Sequence, residues 1–151
     1  MEENIKDRIY DALIKKHNVE ELLTWNEFTI EDKLPRQAFL EVQWREMYIS
    51  ANKKLDELKR IKEEIIGEIF FEVKHPQQVE KKEKNPYASI GAGLQNKDIE
   101  RYIIPRDKRI KEINVKIEFH ETIVDFFLTT YEAIKKNTWH MKNWIEVHKK
   151  M

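Results

Sequence analysis

The sequence predicts an all-α protein built on two long, heptad-patterned helices. Three observations predict it. Apolar residues recur in steps of three and four along two separate stretches. The composition, 37% charged and 40% hydrophobic with only three glycines in 151 residues, favours long solvated helices over a compact mixed fold. Between the two stretches, prolines and glycines break all periodicity.

The elements follow in order. Ile5, Ile9, Ala12 and Leu13 stand at helical spacing and predict a short amphipathic helix over 4–16. Asn18 with Glu21 three residues later resembles a capping box and predicts a second short helix over 19–27. Pro35 fits the first turn of a new helix, where its missing N–H costs nothing. That helix carries the first seam: Trp44, Tyr48, Ala51, Leu55, Leu58, Lys62, Ile65 and Ile69, ending at Lys74 before His75–Pro76. Gly67 inside it marks a bend or a close contact. Residues 75–97 hold lysine, glutamate, proline and glycine, and read as a mobile connector. A short helix around "KDIERYI" precedes Pro105. The second seam runs from a start near Arg106 through Ile110, Ile113, Ile117, His120, Val124, Phe127, Tyr131 and Ile134. "KKN" stops it at Asn137, and a last helix over 138–149 presents Met141, Trp144, Ile145 and His148 on one face.

Two such helices joined by a connector should pack as an antiparallel pair within one domain, 1–151. Its parts are an N-terminal extension (1–17), a first half (18–74), the connector (75–97) and a second half (98–151). Each long helix also carries apolar residues off its seam, such as Ile61, Ile66 and Phe70, or Ile123 and Phe126. A lone hairpin cannot cover stripes that wide, so a homo-oligomer is expected. The residues expected in its core or subunit interface are Trp44, Tyr48, Ile65, Phe70, Phe127, Tyr131, Trp139 and Trp144. Trp139 is expected to wedge into the turn at Asn137, and Trp144 to close the core.

Several function classes lose support. Without cysteine there is no thiol chemistry, disulfide or thiolate metal site. A carboxylate-bridged metal bundle needs two Glu-x-x-His pairs, and only Glu72 with His75 forms one. "GAG" at 91–93 lacks the lysine and strand context of a phosphate loop. Glu63 and Glu64 sit on a charged helix face. No catalytic residue, metal or cofactor is therefore expected. Neither a membrane-spanning run of about 20 apolar residues nor a signal core is present. A soluble cytoplasmic protein is the expectation.

Cations near aromatics remain. Lys+Arg and Asp+Glu both number 28, so only local distribution is informative. One cluster is Lys53, Lys54, Lys59, Arg60 and Lys62; another is Lys81, Lys82 and Lys84 near Tyr87; the third is Arg101, Arg106, Lys108, Arg109 and Lys111. Such clusters fit a solvated charged face or a single-strand-binding surface. "RYIIPRDKRIK", with five cations and one acid, is the strongest local candidate.

The order of these pieces resembles the UvsY-type recombination mediators of tailed phages. "VEELLTWNEFTI" is similar to the family's opening helix and polar break, and "LPRQAFLEVQWREMYISANKKLDELK" to its first long helix. "KDIERYI" and the closing "NTWHMKNWIE" match further elements, so that the likeness spans about residues 18–149. The resemblance implies an accessory protein of the infected host's cytoplasm, not an enzyme. Members bind single-stranded DNA, form ring-like homo-oligomers, loosen the phage single-strand-binding protein and help a RecA-class recombinase assemble. One departure stands out. In "IIGEIFFEVKH", Phe70 and Phe71 replace the family's paired tyrosines, and its basic DNA-contact positions fall near Ile65 and Gly67, which carry no charge. Lys59, Arg60, Lys62 and Lys74 are the substitutes expected to contact DNA, with Arg101, Arg106, Lys108 and Arg109. A helical assembly module with protein partners only is the alternative from another class.

Overall fold

The computed structural model describes residues 2–76, 85–87 and 93–149, with side chains from residue 5 onward. Every regular element among them is helical: α1 (Glu2–His17), α2 (Val19–Leu23), α3 (Ile30–Lys74), α4 (Asn96–Asp98) and α5 (Lys108–Lys149). Between α4 and α5 the chain makes a π-helical turn, Ile99–Ile103, and a 3-10 turn, Ile104–Arg106. The chain divides into two compact units. Unit 1 is Met1–Leu55 with Phe119–Met151, and unit 2 is Asp56–Glu118.

In unit 1 the core is aromatic. Trp44 of α3 and Phe126 of α5 are almost fully buried, together with Val19 and Ile134. Phe127, Tyr131, Tyr10, Leu13 and Ile14 pack around them. Edge-to-face geometry recurs, as between Trp44 and Phe127 at 5.8 Å and Tyr10 and Phe126 at 5.4 Å, which favours ring quadrupoles beyond area burial. Within the N-terminal segment, Tyr10, Leu13 and Ile14 of α1 thus cover the core rings.

Asn18 does not cap α2 as the capping-box pattern predicts. Its backbone is left-handed, with φ 51°, a conformation asparagine tolerates. Its side-chain amide donates to the Glu21 carboxylate. α2 stops at Leu23, short of the predicted 27. Thr24 turns extended, and Lys33 donates its ammonium to the carbonyls of Glu21 and Thr24. α3 then starts earlier than Pro35 suggests. The Asn26 side chain accepts the N–H groups of Phe28 and Thr29, and the Thr29 hydroxyl accepts that of Asn26 at 2.9 Å. Pro35 consequently sits inside the helix.

Along α3, the predicted seam is the inward row. Trp44, Leu55 and Ile69 are buried; Tyr48, Ala51, Leu58, Lys62 and Ile65 are half-buried. A Cβ built on Gly67 would meet nothing within 4 Å, so neither close packing nor a contact explains this glycine.

α5 corrects the sequence reading most. No turn occurs at Asn137; one helix runs from Lys108 to Lys149. The residues that resemble a stop are engaged by other elements of unit 1. Asn137 accepts the indole N–H of Trp25 at 3.1 Å and donates to the Leu23 carbonyl at 2.8 Å. The Thr138 hydroxyl reaches the Ile134 carbonyl and the side chain of buried Gln37. In this half the buried row is Thr122, Phe126, Thr130, Ile134 and Thr138, whereas predicted His120, Val124, Phe127 and Tyr131 are half-buried flanks. With no turn to wedge into, Trp139 lies 61% exposed beside the inward-facing Thr138 and Met141. Trp144 is half-buried and stacks on His148 at 3.8 Å.

Unit 2 has an aliphatic core of Ile69, Val73, Ile99, Ile104 and Ile110. Ile65, Ile66, Phe70, Ile103, Leu94 and Tyr87 pack against it. Of the predicted mobile connector, 77–84 and 88–92 lie outside the described residues. The rest is anchored: Tyr87 and Leu94 join the core, and Asn85 donates to the Glu72 carbonyl at 2.9 Å.

Candidate nucleic-acid interface

Unit 2 holds all eight cations predicted to meet DNA. Its helices place them for simple reasons. On α3, Ile65, Ile69 and Val73 face the core, so Lys59 and Arg60 fall on the solvent side and Lys62 and Lys74 on its flank. After α4, the π-helical turn widens the backbone by one residue per turn. Ile99, Ile103 and Ile104 face inward, which leaves Arg101, Tyr102, Pro105 and Arg106 together on the exposed side. Asp107 then turns extended and opens α5, its carboxylate accepting the Arg109 N–H at 2.8 Å. An aspartate here is a standard helix start, a signal the sequence carried but the basic run around it obscured.

Not all eight cations are available. Arg109 is engaged by acids of its own unit. Its guanidinium is bidentate to Glu72, at 2.9 and 2.7 Å, and reaches both oxygens of Asp107, at 3.1 and 3.0 Å. Glu68 lies 3.8 Å away. The Tyr87 hydroxyl donates to Asp107 at 2.5 Å. Burial and the bond to Asp107 push the Tyr87 phenol pKa well up. Burial alone would raise Asp107, but the bonds from Arg109 and Tyr87 outweigh it and hold its carboxyl below the usual range. Arg109 is thus a structural clamp between α3, α5 and residue 87. Sequence could not show this, because Glu72 lies 37 residues away.

The clamp removes one cation and one acid together, so the net charge of the segment is unchanged while its acid leaves the surface. The single acid of "RYIIPRDKRIK", Asp107, is 5% exposed and neutralised internally. Arg101, Arg106, Lys108 and Lys111 remain exposed. Lys108 is 3.8 Å from Glu112, with both side chains largely in solvent, so the pair holds it weakly. Arg60 is similarly paired with Glu64 at 3.3 Å. Lys53 and Lys54 of the first cluster belong to unit 1. Lys81, Lys82 and Lys84 lie outside the described residues.

Arg101 and Arg106 are exposed on the π and 3-10 turns, and Lys108 and Lys111 on the first turn of α5. Among the described residues, no group of three His, Asp or Glu side chains is placed to hold a metal ion, and no helix is long and apolar enough to cross a membrane. The family described as "Recombination, repair and ssDNA binding protein UvsY" matches residues 27–150. The chain belongs to the UvsY family. No curated protein and no solved structure matches it. The UvsY match covers α3 through α5, including every exposed cation of unit 2, and ties the chain to recombination, repair and single-stranded-DNA binding. It begins after α1 and α2, later than the residue 18 expected from the resemblance.

The positions where UvsY proteins are expected to carry basic DNA contacts are occupied here by half-buried Ile65, in the unit 2 core, and exposed Gly67. The predicted core or interface residues divide between the units. Ile65 and Phe70 pack in unit 2; Trp44, Phe127 and Tyr131 pack in unit 1, where Tyr48 is half-buried.

Proposed function

We propose that this protein is a recombination mediator that holds single-stranded DNA on unit 2. Phosphates are engaged by Arg101, Arg106 and Lys108, with Lys59, Arg60, Lys62 and Lys74 extending the path. Arg109 is not a contact. The carrying observation is the set of exposed cations within 101–111, where the single acid, Asp107, is consumed internally, in a chain of the UvsY family. In this reading α3 and α5 pair antiparallel. The order of contacts inside unit 1 supports that pairing, since Gln37 meets Thr138 while Trp44 meets Phe126.

Copies of the chain join into a ring-like homo-oligomer. Exposed Phe28, Phe39, Val42 and Trp139 supply apolar surface for subunit contacts. Repeating the basic surface around the oligomer raises affinity through avidity. The strand so held is drawn away from the single-strand-binding protein and presented to a RecA-class recombinase in the cytoplasm of the infected host. The reading assigns this chain no catalytic step and no cofactor.

The test is fluorescence anisotropy of a labelled single-stranded oligonucleotide across a salt series. Arg106→Glu with Lys108→Glu should weaken binding and lower the salt slope by roughly 1.4, from about 0.7 per phosphate contact. The oligomer should stay intact by sedimentation. Unchanged affinity in that variant removes the site from this surface. No binding by the native protein at low salt leaves the protein-partner module as the better account.

A further inference from the structure

We infer that Tyr102 is a base-stacking platform, and that the surface formed by Arg101, Tyr102 and Arg106 holds one nucleotide of the strand by both its base and its phosphates. The inference rests on the single-stranded-DNA reading above and deepens it. Phosphate contacts alone position a strand; a ring that stacks on a base also fixes which part of each nucleotide faces the protein.

The observation is a tyrosine outside the unit 2 core cluster. Its neighbours Ile99, Ile103 and Ile104 all enter the unit 2 core, yet Tyr102 is 50% exposed. An aromatic ring left in water forgoes the burial that usually justifies it. The π-helical turn is what puts it there. A regular helix would separate the inward residues differently; the wider turn lets Ile99, Ile103 and Ile104 share the core and sets Arg101 and Tyr102 side by side outside it. Single π turns of this kind recur at functional sites. The Arg101 guanidinium lies 5.6 Å from the Tyr102 ring centroid. That contact orients the ring and keeps a cation over it. Arg106 is exposed on the same short segment, one 3-10 turn further on. A ring with one cation against it and a second exposed four residues further on matches a nucleotide, whose base and phosphates are joined through one sugar. The stack is sequence-tolerant because every base has a π-face.

The experiment compares two strands of equal length and charge: a labelled oligo-dT and an abasic deoxyribose-phosphate strand. The native protein should bind oligo-dT more tightly. Tyr102→Ala should lose about tenfold in affinity for oligo-dT, leave the abasic strand unaffected and leave the salt slope unchanged. Tyr102→Trp should retain or strengthen the oligo-dT preference. Equal loss on both strands, or no loss on either, overturns the stacking assignment while leaving the electrostatic site standing. Dissociation of the oligomer by Tyr102→Ala also overturns it, and assigns the ring to a subunit contact. Failure of the native protein to bind either strand overturns the underlying reading as well.

Discussion

Arg109 shows how a cation can be basic in sequence and yet be committed to internal partners. Glu72 and Asp107 are 15% and 5% exposed at their side chains, and one guanidinium satisfies both. Removing it leaves half-buried Glu72 without its ion-pair partner and buried Asp107 with only the Tyr87 hydroxyl and the residue-109 N–H, which is costly because both carboxylates are largely withdrawn from water. Arg109→Met should destabilise unit 2 by about 2 kcal/mol, below the ~3–5 of a fully buried pair because the guanidinium is 35% exposed. Urea unfolding measures it. DNA affinity at a temperature where the variant is folded should not change, in contrast to Arg106→Glu. His17 provides a second residue-scale case. It lies against Trp44 and Phe127, and burial, helped by neighbouring Lys16, lowers its pKa. A depressed histidine is neutral when folded, so protonation favours the unfolded chain. Its contribution is complete above the unfolded value of 6.5 and is lost as pH falls through the lower folded value. His120, depressed by burial and by Lys54, adds in the same direction. Thermal melts should therefore show unit 1 weakening between neutral pH and about pH 5, and His17→Leu should flatten that slope.

At the scale of the element, α5 is the instructive case. Asn137 and Thr138 have weak helix preference, and asparagine is a frequent helix terminator. The helix continues because tertiary partners reward it there. Asn137 bonds Trp25 and Leu23, and Thr138 bonds Gln37. Asn137→Ala illustrates the balance: alanine has the better helix propensity, but two part-buried partners lose their bonds. We expect a net loss of about 1–2 kcal/mol in denaturant unfolding with helix content by circular dichroism unchanged. A large fall in helix content would mean that these bonds hold α5 continuous rather than merely stabilise it. The heptad seam of α3 was legible because large apolar residues marked it. The second half of α5 was not, because its buried row includes Thr122, Thr130 and Thr138, which read as polar.

For the molecule as a whole, the family match and the packing have different boundaries. The UvsY match starts at residue 27, yet the unit 1 core includes Tyr10, Leu13 and Ile14 of α1. Deleting residues 1–17 should uncover Trp44 and Phe126 and cost unit 1 about 3 kcal/mol or more, from apolar burial alone. Tryptophan fluorescence should shift red and the melting temperature fall. A deletion variant as stable as the full chain would show that α1 is dispensable to this core. The proposed DNA surface belongs to unit 2, so strand binding at low temperature should survive the deletion if the oligomer does.

The sequence by itself determined the helical class, the course of α3 to Lys74, the start of α5 to within two residues and the family, since all of these depend on periodicity, proline placement and the order of local patterns. It also located the basic segment 101–111. Only the tertiary structure decided which of those cations face solvent. Arg109 is withdrawn by Glu72, Tyr102 is displaced outward by a π turn that lets three isoleucines share one core, and Asn137 is kept helical by partners more than a hundred residues away. Local patterns record what a segment prefers. Long-range pairing records which preferences survive when buried polar groups must all find partners.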